Sequence, residues 1–322
     1  MADTRRRIIV DTDTAGDDTQ ALLLACLTSR LVVEAVTIVA GNVPFDRQVE
    51  NAKHTLYLVE AADTPVYEGA TEPLLKDFHH VENIHGAGGL GGDLHPETGI
   101  LSAEGFAPTE IVRRCRAAPG EYTLLCIGPL TNLALALSQE PDLPTLVDEV
   151  WIMGGAVHCV GNVTPAAEYN VWVDPDAAKR VVDAFEVMLV DWGVSLRDSL
   201  LPPEDVEAVL GMEGPLPAFI GGIIETVYEF THTEQGIDGV PQPDSLTAAL
   251  LAYPELREEM TTYPVTVDER EGLTRGYLSV DVDGVTDDPA RTRVVGSADG
   301  ETFCEIVLSM LRGRSPDRVF AQ

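Results

Sequence analysis

Lysine is scarce in this chain, and positive charge is scarce with it. Only three of the 21 basic residues are lysine, whereas 53 residues are acidic, which gives a formal net charge of −32 over 322 residues. A chain this acidic is repelled by the phosphates of DNA and RNA, so nucleic acid is excluded as a partner. Acid-rich, lysine-poor surfaces stay hydrated in concentrated salt, where their self-repulsion is screened. We therefore expect a halophilic source.

Paired cysteines and long apolar runs are also missing. The five cysteines are scattered, with no C-x-x-C spacing, which excludes a disulfide framework or a zinc site and predicts small buried thiols. Apolar runs such as residues 21–27 are far shorter than the roughly 20 residues of a membrane span. The charged start is followed by only three apolar residues, too few for a signal peptide. We expect a cytoplasmic protein without membrane contact.

Short β-branched runs alternate with helix-like segments along the chain. Residues 8–10, 19–29 and 32–39 predict a strand, a buried helix and a second strand, which together have the size of a βαβ unit. Further strands are predicted at 122–127, 149–153, 187–190, 273–282 and 291–295, and a closing helix at 301–311. The pattern predicts the α/β class: a central, mostly parallel (mixed) sheet flanked by helices, an open Rossmann-like sheet in one domain over residues 1–322.

Polar residues follow several of these predicted strands. Asp11 to Asp13, Asn42, Ile127 and the Gly154-Gly155 pair all come directly after an apolar run. Open parallel sheets bind ligands at the carboxyl ends of their strands. The sequence therefore predicts one site at that edge. Asp244 precedes a helix-like segment and is the expected N-cap of that helix.

The segment from Asp11 to Asp18 carries four aspartates within eight residues. Like charges this close repel one another unless a cation compensates them. Carboxylate oxygens favour calcium or magnesium over softer metals. Gly16 lets the chain turn tightly, so that Asp13 and Asp18 can face one ion.

This octet resembles the N-terminal signature of the inosine–uridine-preferring nucleoside hydrolase family, D-x-D-P-G-x-D-D. All four aspartates match, while Thr14-Ala15 departs from the usual Pro-Gly. Matches to the family's later motifs follow in order at residues 39–42, 84–86, 126–132, 153–155, 168–170 and 244.

The resemblance implies the nucleoside hydrolase fold and calcium-dependent hydrolysis of the N-glycosidic bond of small-molecule ribonucleosides, in purine or pyrimidine salvage. It implies that Ca²⁺ is held by Asp13, Asp18, Asp244 and the carbonyl of Ile127, and that Asp13 is the general base for water attack at C1′. The substrate-binding residues that it implies are Asp17, Asn42, Asn162, Glu168 and Asn170. Family members are commonly homodimers or homotetramers.

One departure from the family concerns the leaving group. Many members carry a histidine immediately before the last metal aspartate, where it protonates the departing base, whereas this chain has Pro243. Because a proton donor is typically worth ~10²–10⁴-fold in rate, we expect a replacement. The candidates are His85, in a glycine-rich stretch that predicts a mobile loop over the site, and His232, with His158, His79 and His80 as less favoured alternatives.

Two other functions fit part of the pattern. The strand followed by Asp11-Thr12-Asp13 also resembles the start of haloacid-dehalogenase-like phosphatases, in which Asp11 would be the nucleophile and magnesium the metal. Pro243 leaves open a non-catalytic nucleoside- or ribose-binding protein.

Overall fold

The computed structural model describes residues 5–92 and 94–320. Its strands are β1 (Arg6–Thr12), β2 (Leu31–Ile38), β3 (Val66–Glu68), β4 (Tyr122–Cys126), β5 (Val150–Met153), β6 (Val187–Val190), β7 (Arg257–Tyr263), β8 (Val265–Val267), β9 (Leu278–Val280) and β10 (Thr292–Ala298). Its α-helices are α1 (Gly16–Leu27), α2 (Phe45–Leu58), α3 (Glu82–His85), α4 (Ala107–Ala117), α5 (Thr131–Gln139), α6 (Tyr169–Val173), α7 (Pro175–Ala184), α8 (Trp192–Asp198), α9 (Pro203–Leu210), α10 (Pro215–Phe230), α11 (Pro243–Ala252) and α12 (Gly300–Leu311).

Eight of the strands form one sheet in the order β3-β2-β1-β4-β5-β6-β10-β7. The strands of this sheet pair in parallel, except for the edge strand β7, which runs antiparallel to β10. Strand order reverses direction between β1 and β4. In open α/β sheets this reversal opens a crevice at the carboxyl ends of the strands, and the Asp11–Asp18 loop follows β1 directly.

Helices cover both faces of the sheet because successive side chains of a strand point to opposite faces. Ile8 and Val10 join the core beneath α1, α2, α10 and α11, whereas Ile9 joins the core beneath α4, α5 and α7. The second half of helix α1 is apolar around its circumference, with Leu22, Leu23 and Leu24 fully buried. Such a helix is stable only when it is enclosed on all sides, and α1 lies between the sheet and α11.

The predicted α/β class and mostly parallel central sheet are confirmed. The strand expected over residues 273–282 is wrong in extent, because only Leu278–Val280 is a strand, paired with β8 outside the main sheet. The preceding residues form turns held by Asp268, whose carbonyl accepts from the Gly276 N–H at 2.8 Å. All five cysteines are free thiols. Within the described ranges, no helix combines the length and the apolar character that crossing a membrane requires.

Candidate active site

A cavity of about 270 Å³ opens where the strand order reverses. The start of α1 and the loops after β2, β4 and β5 form its floor and one wall, while α10 and the start of α11 form the other wall. Most of the residues predicted from sequence line it: Asp17, Asn42, His85, Ile127, Asn162, Glu168, Asn170 and Asp244. Asp13 and Asp18 are buried and are hydrogen-bonded to Asn42 of the lining.

The Asp13 carboxylate is held by the loop that follows β2. Its Oδ2 accepts a hydrogen bond from the Asn42 backbone N–H at 2.8 Å. Two glycines leave room for it: a Cβ at Gly41 would lie 1.9 Å from Oδ2, and a Cβ at Gly128 would lie 2.7 Å from Oδ1. Any side chain at Gly41 would therefore occupy the space of this carboxylate.

Asp18 and Asp17 lie in the first turn of α1 and connect to different parts of the site. Asp18 Oδ1 accepts from Thr12 Oγ1 at 2.6 Å, and its Oδ2 accepts from the Asn42 side-chain amide at 3.2 Å. Asp17 Oδ2 accepts from the Asp244 backbone N–H at 2.8 Å. This last bond joins the first helix of the chain to α11.

Asp244 lies in the first turn of α11, and the expected N-cap role is wrong. The helix begins at Pro243, so the N-cap is Gln242. A carboxylate in the first turn is favourable because the helix dipole is positive there.

Burial and mutual repulsion dominate the electrostatics of this floor. Burial raises the pKa of Asp13 to about 7 and that of Asp17 to about 6. Burial, followed by repulsion from the neighbouring aspartates, raises the pKa of Asp18 and of Asp244 well above the usual range. Four acids this strongly perturbed call for a compensating positive charge.

The oxygens of the floor suit a hard cation. In the described part of the chain, no three Asp, Glu, His or Cys side chains already surround one point as a finished cage. Two buried carboxylate oxygens of the floor, Asp13 Oδ1 and Asp244 Oδ1, nevertheless have no hydrogen-bond partner among the described residues. Unpaired buried oxygens are costly unless a ligand completes them. Because every donor here is oxygen, the residues fit calcium better than zinc.

Amide and carboxylate groups line the wall beside this floor. The Asn170 amide donates to the Ile127 carbonyl at 3.1 Å, while Asn162 Oδ1 accepts from the Tyr169 N–H at 2.8 Å. Glu168 is the N-cap of α6 and also accepts from the Gly155 N–H at 2.7 Å. Burial raises the pKa of Glu168 to about 7, although the backbone N–H bonds oppose the rise.

His85 ends α3 and lies against the aspartate loop. A Cβ at Gly16 would lie 2.3 Å from His85 Nδ1, so the glycine makes room for the ring. Burial lowers the pKa of His85 to about 4, which leaves the imidazole neutral at neutral pH.

The predicted mobile loop after His85 is instead a bonded, largely buried turn. Gly88, Gly89, Leu90 and Gly91 are buried. The Gly89 carbonyl accepts from the Gly16 N–H at 2.7 Å, and the Gly88 carbonyl accepts from the Asn51 amide at 2.8 Å. The glycines therefore serve close packing against α1 and α2.

His232 is the predicted candidate that the structure does not bring to the cavity lining. Its side chain is 59% exposed, stacks on Tyr228 and lies 3.7 Å from Asp238. It lies in a π-helical turn, Thr231–Gln235, that follows α10. The cavity wall from α10 is instead apolar, with Ile223, Ile224 and Val227.

Asp11 is buried and does not line the cavity. Its Oδ1 accepts from Thr37 Oγ1 at 2.5 Å and from the Asn132 amide at 2.8 Å. Asn132 also donates to the Ile38 carbonyl and accepts from the Ala70 N–H, so it joins the loops after β1, β2 and β3. These bonds give Asp11 a structural role in holding the strand ends together, which does not support the nucleophile of the phosphatase alternative.

Sequence reasoning missed three parts of the site. Gly41 and Gly128 were present in the motifs, but the need for a missing Cβ becomes visible only beside Asp13. The apolar wall of α10 and the Gln242 side chain were not predicted, because neither belongs to a polar motif that marks a site. The buried face of α10 could have been predicted from its apolar residues at 219, 220, 223 and 224, which recur at the three- and four-residue spacing of a helix.

Comparisons with known proteins find one enzyme family along nearly the whole chain. The family model described as inosine-uridine preferring nucleoside hydrolase matches residues 8–305. The pyrimidine-specific ribonucleoside hydrolase RihA of Salmonella gallinarum is 31% identical over 307 residues, which are 95% of this chain and 98% of that protein. The structure of the plant nucleoside hydrolase PpNRh1 matches with a TM-score of 0.89 at 27% identity, covering 95% of this chain and 99% of that one. The purine-preferring ribonucleoside hydrolase from Gardnerella vaginalis matches with a TM-score of 0.88 at 25% identity, covering 96% and 98%.

The matches extend over nearly the whole chain and include both the aspartate loop after β1 and the Asp244 turn. The prediction of an N-glycosyl hydrolase is confirmed, and the chain belongs to the inosine–uridine preferring nucleoside hydrolase family.

Proposed function

We propose that this chain hydrolyses the N-glycosidic bond of ribonucleosides in the cavity described above, releasing ribose and a free base, and that it requires Ca²⁺. The observation that supports the proposal is that buried Asp13, Asp18 and Asp244 repel one another electrostatically, and that Asp244 lines a cavity walled by amides and a carboxylate. These three side chains and the Ile127 carbonyl would hold the ion. Bound there, calcium would neutralise the aspartates and lower the pKa of a coordinated water.

Asp13 is the proposed general base. Its Oδ2 is fixed by the Asn42 N–H at 2.8 Å. Among the described groups, none bonds to its Oδ1. Because each carboxylate oxygen carries two lone pairs, Oδ1 can face the ion with one and take a proton from the attacking water with the other. A fixed carboxylate acts efficiently because its orientation is set before the reaction begins.

The ribose hydroxyls are the proposed partners of Asp17, Asn42, Asn162, Glu168 and Asn170. All five line the same cavity. Removing a hydroxyl would leave buried polar groups unpaired, at a cost of ~1–3 kcal/mol each. We therefore propose that ribonucleosides are preferred to 2′-deoxyribonucleosides.

His85, rather than His232, is the histidine that we propose contacts the nucleobase. His85 lines the cavity, whereas His232 is turned to solvent in this structure. Because burial lowers the pKa of His85 to about 4, its role at neutral pH is that of a neutral hydrogen-bond donor to the base.

The test is base release from inosine, adenosine, guanosine, uridine and cytidine, in concentrated KCl. The protein is first treated with EDTA and then assayed with and without added Ca²⁺. We expect release of base only after calcium is restored. Both purines and pyrimidines are needed because RihA is pyrimidine-specific and the Gardnerella vaginalis enzyme is purine-preferring. Binding of nucleoside without release of base from any of the five would favour the non-catalytic binding protein instead.

A further inference from the structure

Two buried glutamines meet beside the cavity, and the chemistry above does not use them. Gln20 lies on α1 and Gln242 is the N-cap of α11. Gln20 Nε2 donates to Gln242 Oε1 at 2.6 Å and also contacts Ser245 Oγ at 3.2 Å. Gln242 lines the cavity immediately before Pro243, the position at which a histidine is expected from the family resemblance.

The segment that carries Gln242 is fixed at several points. Val240 and Leu201 exchange two backbone hydrogen bonds of 2.9 Å. The Gln242 N–H donates to Ser199 Oγ at 2.9 Å. Pro241 and Pro243, on either side of Gln242, restrict the backbone further because each proline ring locks φ. A side chain on this segment is therefore held before any substrate arrives.

The bond from Gln20 also sets which end of the Gln242 amide is available. Because Oε1 accepts from Gln20, the Nε2 group remains as the donor. Within residues 5–92 and 94–320, no group accepts a hydrogen bond from this Nε2. Its neighbours in the lining include Val240, Pro241 and Pro243, whose side chains offer no acceptor. An unused donor on the cavity wall is suited to a ligand that gains negative charge.

We propose that Gln242 Nε2–H donates a hydrogen bond to the departing base, and that Gln20 is the positioning residue that orients this amide. The inference rests on the proposed ribonucleoside hydrolysis and deepens it. As the C1′–N bond breaks, its electron pair stays on the heterocyclic base, and the hydroxyl of the attacking water bonds to C1′. Asp13 takes the water's proton, Gln242 keeps its own protons, and the base anion is afterwards protonated by solvent. The acceptor on the base is a pyrimidine carbonyl oxygen or a purine ring nitrogen.

The test compares two classes of riboside whose leaving groups differ in how much they need stabilisation by a hydrogen bond as the bond to C1′ breaks. Nucleosides such as uridine and inosine expel a basic heterocycle, whereas p-nitrophenyl β-D-riboside expels a phenolate that is stable unaided. We expect Gln242→Met to lower kcat for the nucleosides by about 10- to 100-fold, the value of a hydrogen bond to a charged group, while hydrolysis of the nitrophenyl riboside changes little. Gln20→Met should show the same split with a smaller loss.

Gln48→Met is the matched control. Gln48 is another fully buried glutamine, it does not line the cavity, and neither of its side-chain polar atoms has a partner among the described residues. This variant should hydrolyse both substrates as the wild type does. Circular dichroism and thermal melting of each variant show that the fold is retained.

The outcomes separate this inference from the function on which it rests. A wild-type protein that hydrolyses neither substrate refutes the proposed function itself. A wild type that hydrolyses both, with Gln242→Met lowering both equally, overturns the role of Gln242, because such a loss comes from general disruption of the site. Unchanged nucleoside turnover in Gln242→Met overturns it as well.

Discussion

Replacing Gly41 by alanine tests whether the position of the Asp13 carboxylate governs turnover. The added Cβ would lie 1.9 Å from Asp13 Oδ2 and 2.9 Å from Asp13 Cβ, so the side chain of Asp13 has to move. The movement breaks the 2.8 Å bond from the Asn42 N–H, which fixes the general base. Gly41 itself has no positive φ, so alanine is compatible with the backbone at this position.

The expected loss follows from the displacement. Moving Oδ2 out to an ordinary contact distance requires a shift on the order of 1 Å, and misplacing a reacting group by that much costs about 10²-fold in rate. We therefore expect kcat for base release to fall about 10²-fold or more, with little change in thermal stability. The assay is steady-state base release from the best nucleoside at saturating Ca²⁺.

Gly222→Ala is the matched control for this prediction. A Cβ at Gly222, within α10, meets no described atom within 4 Å, and alanine in a helix is about 1 kcal/mol more favourable than glycine. This variant should retain wild-type activity. Wild-type turnover in Gly41→Ala would refute the reasoning, because the Asp13 carboxylate would then not need its observed position.

Three further predictions concern the same floor and the surface. Asp13→Ala should keep the fold, because it removes a buried and repelled carboxylate, but it should lower turnover by ~10²–10⁴-fold. Circular dichroism measures the first effect and base release measures the second. High residual activity would contradict the role of Asp13. Burial raises the pKa of Asp13 and Glu168 to about 7, above the value of ~4 in an unfolded chain. The folded protein therefore favours the protonated carboxyl groups, and the stability that they contribute at low pH is lost as the pH rises through about 7. The Tm of EDTA-treated protein should therefore fall between about pH 5 and about pH 8, and added Ca²⁺ should raise Tm more at the upper pH; equal calcium shifts at both would count against a shared site. With a net charge of −32, Tm should rise with KCl, since the Debye length falls to about 3 Å at 1 M; equal stability in dilute buffer would argue against a halophilic protein.

The sheet could be predicted from sequence because its strands are short, apolar and separated by clear helical segments. The strand predicted at 187–190 coincides with β6, and the first strand and its buried helix differ from β1 and α1 only at their ends. The aspartate loop could also be predicted as a cation site, because four carboxylates that closely follow an apolar strand repel one another unless a cation lies between them. These features depend on local pattern alone.

The failed predictions concern contacts between distant segments. Residues 85–92 were predicted to form a mobile loop because glycine signals flexibility, but the structure uses Gly88 and Gly89 for close packing against Asn51 and the start of α1. Asp244 was predicted to be an N-cap because it precedes a helical segment, whereas the helix already begins at Pro243. The role of Gln242 depends on Gln20, which lies 222 residues earlier. The single domain, the homo-oligomer and the cytoplasmic location stay predictions.

The central claim is that Asp13, Asp18 and Asp244 share one cation within reach of the ribose. The most direct measurement is a crystal structure of the protein soaked in Ca²⁺, with anomalous scattering used to locate the ion. We expect one peak, bonded to oxygens of all three aspartates and to the Ile127 carbonyl. Full occupancy elsewhere, with Asp244 and Asp18 turned to separate partners, would contradict it.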